Sequence, residues 1–92
     1  MLRLVLSARF IKSANKLLQS EFEQAQAALQ ILAERFGNAH RHAGLGIRKL
    51  RFNGFECRLN QNLRSVFFFE PGVLRVYDIM THEEVSRFVR NL

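Results

Sequence analysis

The stretch that decides the fold is Ile47-Arg-Lys-Leu-Arg-Phe-Asn-Gly-Phe-Glu-Cys-Arg-Leu59. Charged and apolar residues interleave on both sides of Asn53-Gly54, and that dipeptide is the strongest short-range signal for a two-residue type I′ turn. Such a turn fixes the register. Phe52 then faces Phe55, Arg51 faces Glu56, Leu50 faces Cys57 and Lys49 faces Arg58. One face of the hairpin carries Leu50, Phe52, Phe55, Cys57 and Leu59 and reads as a core face. The other carries Lys49, Arg51, Glu56 and Arg58. Arg51 and Glu56 form a sensible cross-strand ion pair in this register. Lys49 and Arg58 repel, at a cost of about 0.2–1 kcal/mol for like charges directly opposite. An anion seated between them would remove that cost.

Downstream, Asn60-Gln61-Asn62 reads as a three-residue loop with Asn62 in the left-handed conformation. Arg58 then faces Arg64 and Leu59 faces Leu63, while Phe67 and Phe69 join Phe55 and Leu59. A loop of two or four residues would turn Arg64 to the other face. Val66 and Phe68 fall on a side that is only partly covered. Pro71-Gly72 makes a further turn, and Val73–Met80 reads as a last, antiparallel strand. Thr81-x-x-Glu84 is a capping box. It opens a short helix, His82–Asn91, with Val85, Phe88, Val89 and Leu92 facing inward.

Upstream, Leu2, Leu4 and Leu6 alternate with other residues as in a short strand, and Ser7 can cap a helix. Phe10, Ala14, Leu17 and Leu18 share one face at helical spacing. Ser20-x-x-Glu23 reads as the capping box of a second helix, whose stripe is Phe22, Ala25, Leu29, Leu32, Ala33 and Phe36. Gly37 is its stop signal. From Asn38 to Gly46 the chain is a basic, glycine-containing loop with His40, Arg41 and His42. The order is β-α-α-β-β-β-β-α over residues 1–92. That is a single α+β domain: an antiparallel sheet with a helical hairpin on one face and a short C-terminal helix.

Composition narrows the function. The 92 residues are 48% hydrophobic, enough for one small core, with 14 Lys+Arg against 8 Asp+Glu and a net charge of +6. Such a balance favours polyanions or an acidic protein partner. A single cysteine excludes an internal disulfide and a multi-cysteine zinc site and fits a reducing cytoplasm; Cys57 reads as a small buried hydrophobe. Phe67-Phe68-Phe69, the longest aromatic run, is far short of a membrane span.

The charges converge. Because the last strand runs back along the one holding Arg64, its end, Met80-Thr81-His82, returns to where Arg64 begins. Lys49, Arg58, Arg64 and His82 therefore gather at one end of the sheet, and the loop with His40 and His42 arrives there too. Cations beside a titratable imidazole suit a phosphodiester: arginine stabilises extra charge in the transition state and histidine moves a proton near neutral pH. The plain alternative is that these are solvated strand and helix residues. No carboxylate has metal-ligand spacing with the histidines, so neither metal nor cofactor is expected.

At this point the chain resembles the RelE/ParE superfamily, the toxins of bacterial toxin–antitoxin pairs. The residues that carry the resemblance are the early SARFIKSANKL helix, the second helix, IRKLRFNGFECRLNQNLRSVFFF and VLRVYDIMTHEEVSRF. It covers nearly the whole chain through short, degenerate motifs. The RelE-like branch cleaves mRNA on the ribosome, using the ribose 2′-hydroxyl to attack the neighbouring phosphate. Carried over, the resemblance implies that Arg64 stabilises the transition state, with Arg58 beside it, and that His82 transfers a proton. Lys49, Arg51, Arg48 and Arg41 would hold RNA. Two features of other members are missing. Where several have a C-terminal tyrosine this chain has Phe88, with Tyr77 back on the last strand. Where some have a glutamate before the hairpin it has Gly44-Leu45-Gly46-Ile47. The implied partners are a cognate acidic antitoxin and mRNA on the ribosome. The antitoxin would bind as an amphipathic helix or added strand near Val66 and Phe68, against the basic face. A ParE-like inhibitor of DNA gyrase, or a non-catalytic antitoxin-binding domain, would use the same fold without Arg64 and His82.

Overall fold

A computed structural model describes residues 2–37 and 44–92. The expectations for His40, Arg41 and His42 lie outside these residues. The described elements are β1 (Arg3–Leu6), α1 (Ala8–Ala14), α2 (Gln19–Arg35), β2 (Arg48–Lys49), β3 (Gly54–Arg58), β4 (Leu63–Glu70), β5 (Val73–Thr81) and α3 (His82–Arg90). The α+β class and the element order are those expected. The sheet order is β1-β5-β4-β3-β2, and β1 runs parallel to β5 while every other pair is antiparallel. The sheet is therefore mixed, with β1 as a parallel edge strand.

Local chemistry sets the helices. Ser7 Oγ accepts the Phe10 N–H at 2.9 Å, the N-cap expected for α1. α2 begins earlier than its supposed capping box. The Leu18 N–H donates to the Glu21 carboxylate at 3.0 Å, so Glu21, not Glu23, closes the first turn. Leu18 consequently leaves the predicted apolar stripe and is 69% exposed. Gly37, at φ +91°, follows the end of α2 and supplies the left-handed exit. The capping box of α3 is as expected: Thr81 Oγ1 accepts the Glu84 N–H at 3.2 Å, and the Thr81 N–H donates to Glu84 Oε1 at 2.9 Å.

Ser65, Val66 and Phe67 are consecutive and all fully buried. Successive strand residues point to opposite faces, so β4 is covered on both sides. On one side lie α1 and α2, with Phe10, Leu29, Leu32, Cys57, Phe67, Leu74 and Val76 at the centre of the main core. Phe36 closes that core edge-on to Phe55 and Phe67, with ring centroids 5.1 and 5.5 Å away. On the other side α3 lays Val85, Phe88 and Val89 over Val66, Met80, Phe68 and Leu50. Val66 is thus fully covered by the chain itself, while Phe68 stays partly covered, as expected. β5 carries a bulge: Val66 faces Asp78 but Phe67 faces Val76, leaving Tyr77 as the extra residue.

The opening hairpin is correct in existence and wrong in register. Arg48 faces Glu56 and Lys49 faces Phe55, three residues out of step with the type I′ expectation. The cause lies on the opposite side of β3. Gly54 faces Phe68, and a Cβ on Gly54 would come 3.0 Å from that ring, so this glycine serves close approach rather than a turn. Asn53 extends the same ladder: its carbonyl accepts the Phe69 N–H at 2.9 Å and its Nδ2 donates to the Phe69 carbonyl at 2.9 Å. With Asn53 and Gly54 captured by β4, the reversal falls on Arg51-Phe52-Asn53. It is closed by bonds from Leu50 N to Gly54 O at 2.9 Å and Gly54 N to Arg51 O at 2.8 Å. Phe52 takes the left-handed conformation, φ +52°, and lies exposed rather than in the core.

Cys57 is a buried free thiol, as expected. Burial pushes its pKa up from near 9 to about 12. The unfolded chain therefore loses the thiol proton before the folded one, and this contribution to stability is present below about pH 9 and fades towards pH 12. Native protein at pH 8 should resist thiol reagents and react fully in denaturant. Fast labelling of the native form would contradict the burial.

Candidate functional site

The second loop behaves as expected in register. Arg58 faces Arg64 and the Leu59 N–H donates to the Leu63 carbonyl at 3.0 Å, which leaves three residues in the loop. Its mechanism differs from the expectation. Asn62 is not left-handed. Instead Asn60 Oδ1 accepts the N–H groups of Asn62 and Leu63, each at 2.8 Å, in an Asx-type turn. Arg64 Nη1 then donates to the carbonyl oxygens of Asn60 at 3.2 Å, Gln61 at 3.4 Å and Leu63 at 3.2 Å. These bonds orient the guanidinium without neutralising it.

Leu63 faces Thr81 and Arg64 faces Met80 in the β4–β5 ladder. His82, the next residue along, is exposed as the first residue of α3. Arg58, Arg64 and His82 are thus brought to one end of the sheet, as predicted. Lys49 is not. It sits opposite Phe55, away from Arg58, because the β2–β3 register is shifted. The position opposite Arg58 belongs to Gly46 instead. A Cβ there would lie 3.4 Å from Arg58 Cβ and 3.8 Å from its Cζ. The absence of that side chain leaves Arg58 room to lie over Gly46.

Lys49 and Arg48 belong to the neighbouring part of the same surface. Between α3 and β2 runs a cleft of about 500 Å³, lined by Arg48, Lys49, Leu50, Val85, Ser86, Val89 and Arg90. Leu50, Val85 and Val89 give it an apolar floor. Arg48, Lys49 and Arg90 give it a basic rim. Arg48 is fixed by Glu56, whose carboxylate lies 3.1 Å away with its side chain 5% exposed against 58% for Arg48. The second oxygen of Glu56 meets no donor among the described residues. Arg51 stands apart at the hairpin tip, where Nη1 donates to the Leu92 backbone oxygen at 3.1 Å.

Sequence reasoning paired Glu56 with Arg51 and missed Arg90. The shifted register moved Glu56 to Arg48, and only the docking of α3 brings Arg90 over β2. Tyr77 is no stand-in for a C-terminal tyrosine in the cleft. Its ring packs against Phe88 at 5.3 Å and Phe68 at 6.0 Å, with the Arg9 guanidinium 5.4 Å above it. The ion pairs among the described residues are Arg48–Glu56 and Arg75–Glu70. Lys49 and Arg90 in the cleft, and Arg58 and Arg64 at the end of the sheet, therefore have no acidic partner among the described residues.

A mixed five-stranded sheet with a helical pair on one face, and a C-terminal helix bounding a basic cleft on the other, defines a RelE-type toxin fold. The solved structures similar to it bear this out. They include RelE in the archaeal RelE–RelB complex from Pyrococcus horikoshii OT3, with a TM-score of 0.72 and 13% identity over 87% of this chain and 93% of that one. YafQ from E. coli strain BL21(DE3) gives 0.70 and 13% over 92% and 98%. The YoeB dimer from Staphylococcus aureus gives 0.67 and 16% over 88% and 97%. Neither a protein-family model nor a curated protein matches the sequence.

Proposed function

We propose that the chain is the toxin of a type II toxin–antitoxin pair and a ribosome-dependent mRNA endoribonuclease. The observation that carries the reading is the convergence of Arg58, Arg64 and His82 beside a basic cleft in which no carboxylate compensates them. In this reading the RNA backbone lies along the rim formed by Arg48, Lys49 and Arg90, with the scissile phosphate at Arg64. Arg64 and Arg58 stabilise the charge that accumulates on the pentacovalent phosphate, and His82 moves the proton. No step requires a metal.

An acidic antitoxin would neutralise the toxin. The RelE and YafQ relatives have been crystallised with RelB and DinJ. In this chain apolar surface remains open at a groove lined by Leu6, Phe10, Ile11, Ala14, Phe22 and Leu29, where Leu6 and Ile11 are 43% and 48% exposed. An amphipathic helix fits there. Exposed charges make such binding salt-sensitive.

The test of the RNA reading is binding and cleavage on ribosomes programmed with mRNA, with 5′ ends mapped. A triple variant, Lys49→Ala/Arg58→Ala/Arg90→Ala, should flatten the slope of log affinity against log salt. At about 0.7 per lost phosphate contact on a single strand, the total change is about two units. An unchanged slope would make these residues a solvated face.

A further inference from the structure

We propose that the β2–β3 hairpin tip, Arg51-Phe52, is a stacking platform for one unpaired nucleobase of the RNA substrate. The inference rests on the RNA reading and extends it beyond the cleavage site. Phe52 is 71% exposed, the most exposed of the large apolar side chains among the described residues. It is also the one non-glycine residue there with positive φ, at +52°. A bulky aromatic side chain in the left-handed region is an outlier, and the strain persists only where surrounding structure imposes it. Here Asn53 and Gly54 are held in the β4 ladder, which forces the reversal onto Phe52. The chain thus keeps a strained residue whose ring leaves the core for solvent.

The ring is organised as a surface for a flat, electron-rich or anionic partner. The Arg51 guanidinium lies 5.2 Å from the ring centroid. Arg51 is itself tied to the Leu92 backbone oxygen at 3.1 Å, at the far end of α3 from His82. One end of the ring's environment is therefore cationic and anchored, while most of the ring stays exposed. An aromatic face beside an arginine stacks any base and pairs with the adjoining phosphate, independent of sequence. α3, nine residues and about 14 Å long at 1.5 Å per residue, runs between His82 and the Leu92 end to which Arg51 is tied. The base captured is thus not the one at the scissile phosphate but one further along the strand, across the cleft rimmed by Arg48, Lys49 and Arg90.

The experiment uses the full chain and a short single-stranded RNA carrying a fluorescent adenine analogue, placed in turn at each position. Wild type should quench the analogue at one position. Phe52→Leu, which keeps the residue apolar, should abolish the quenching and weaken RNA binding about tenfold, the order of one base–aromatic stack. Phe52→Trp should restore it. Phe52→Gly should weaken binding equally while leaving the melting temperature equal to or above that of wild type, because glycine accepts φ +52° without steric strain. On ribosomes programmed with mRNA, cleavage at the Arg64 end should continue in every one of these variants at saturating substrate. Quenching and affinity both unchanged in Phe52→Leu, with binding still sensitive to Lys49→Ala, would overturn the platform, retain the RNA reading and leave the ring as an anchor for a protein pocket. Failure of wild type to bind this RNA would overturn the platform, and failure also to bind or cleave mRNA on programmed ribosomes would overturn both.

Discussion

Arg64→Ala is expected to lower the rate of mRNA cleavage by about 100- to 1,000-fold, the range for loss of one preorganised donor to a transition-state oxyanion, about 2.7–4 kcal/mol. RNA affinity should fall far less. The reason is geometric. The Arg64 guanidinium is held by three carbonyl oxygens of its own loop and has no carboxylate among the described residues. It is aimed in advance and still fully charged, so its interaction grows as the phosphate gathers charge in the transition state. An equal fall in affinity and rate would mean uniform binding, not transition-state stabilisation. Thermal melting should change little, because the bonds lost are to partly exposed loop carbonyls. His82→Ala should reduce cleavage by about 10²–10⁴-fold if its imidazole transfers the proton. His82 is exposed and its imidazole meets no partner among the described residues. Its removal therefore leaves the fold intact, and a loss of activity reads out chemistry. Growth arrest by both variants at wild-type strength, with folding intact, would sink the nuclease reading and favour a gyrase-directed toxin of the same fold.

What could be read from the sequence divides along a physical line. The convergence of Arg58, Arg64 and His82 depends on two local facts: a three-residue loop and the antiparallel return of β5. Both are encoded within a few residues, and the register is checked by where Phe67 and Phe69 must point. The capping box at Thr81 is local in the same way. The register of the first hairpin is not legible locally, because Asn53-Gly54 carries a strong local turn signal while its tertiary use is different. Phe68 lies over Gly54, and Phe69 bonds with Asn53, from a strand more than ten residues away. No pattern within Ile47–Leu59 reports that. Three consequences followed from the shift: Glu56 changed partner, Lys49 left Arg58, and Phe52 moved from the predicted core to solvent. The place of Arg90 is hidden in the sequence for a related reason. Its role depends on which sheet face α3 covers, and the short amphipathic pattern of α3 specifies an apolar stripe without saying what it meets.

That docking gives the last expected result: Val85→Asp should release α3 from the sheet and abolish cleavage while the main core stays folded. Val85 is fully buried and forms a small cluster with Val66 and Met80, separate from the core under α1 and α2. The substitution removes the burial of a valine, about 1.5–3 kcal/mol. It also places a carboxylate among apolar groups, at an effective cost of several kcal/mol. Phe88 and Val89 are only half-buried and supply the remaining apolar anchorage of the helix. The cheapest relief is for α3 to leave, since the larger cluster built on Phe67, Leu32 and Leu74 makes no use of Val85. Amide exchange should then lose protection along residues 82–90 and keep it in β4 and β5, with only a small loss of helical circular dichroism. His82 would no longer be held at the Arg64 end of the sheet, nor Arg90 at the rim of the cleft. Displacement of a reacting group by about 1 Å can already cost 10²-fold, so cleavage should fall at least as far as in Arg64→Ala. Val85→Ile, which keeps the apolar contact, should retain both protection and most of the activity. Loss of protection throughout β4 and β5 would show that the two clusters fold as one unit. Wild-type cleavage with α3 released would remove the helix, and His82 with it, from the chemistry.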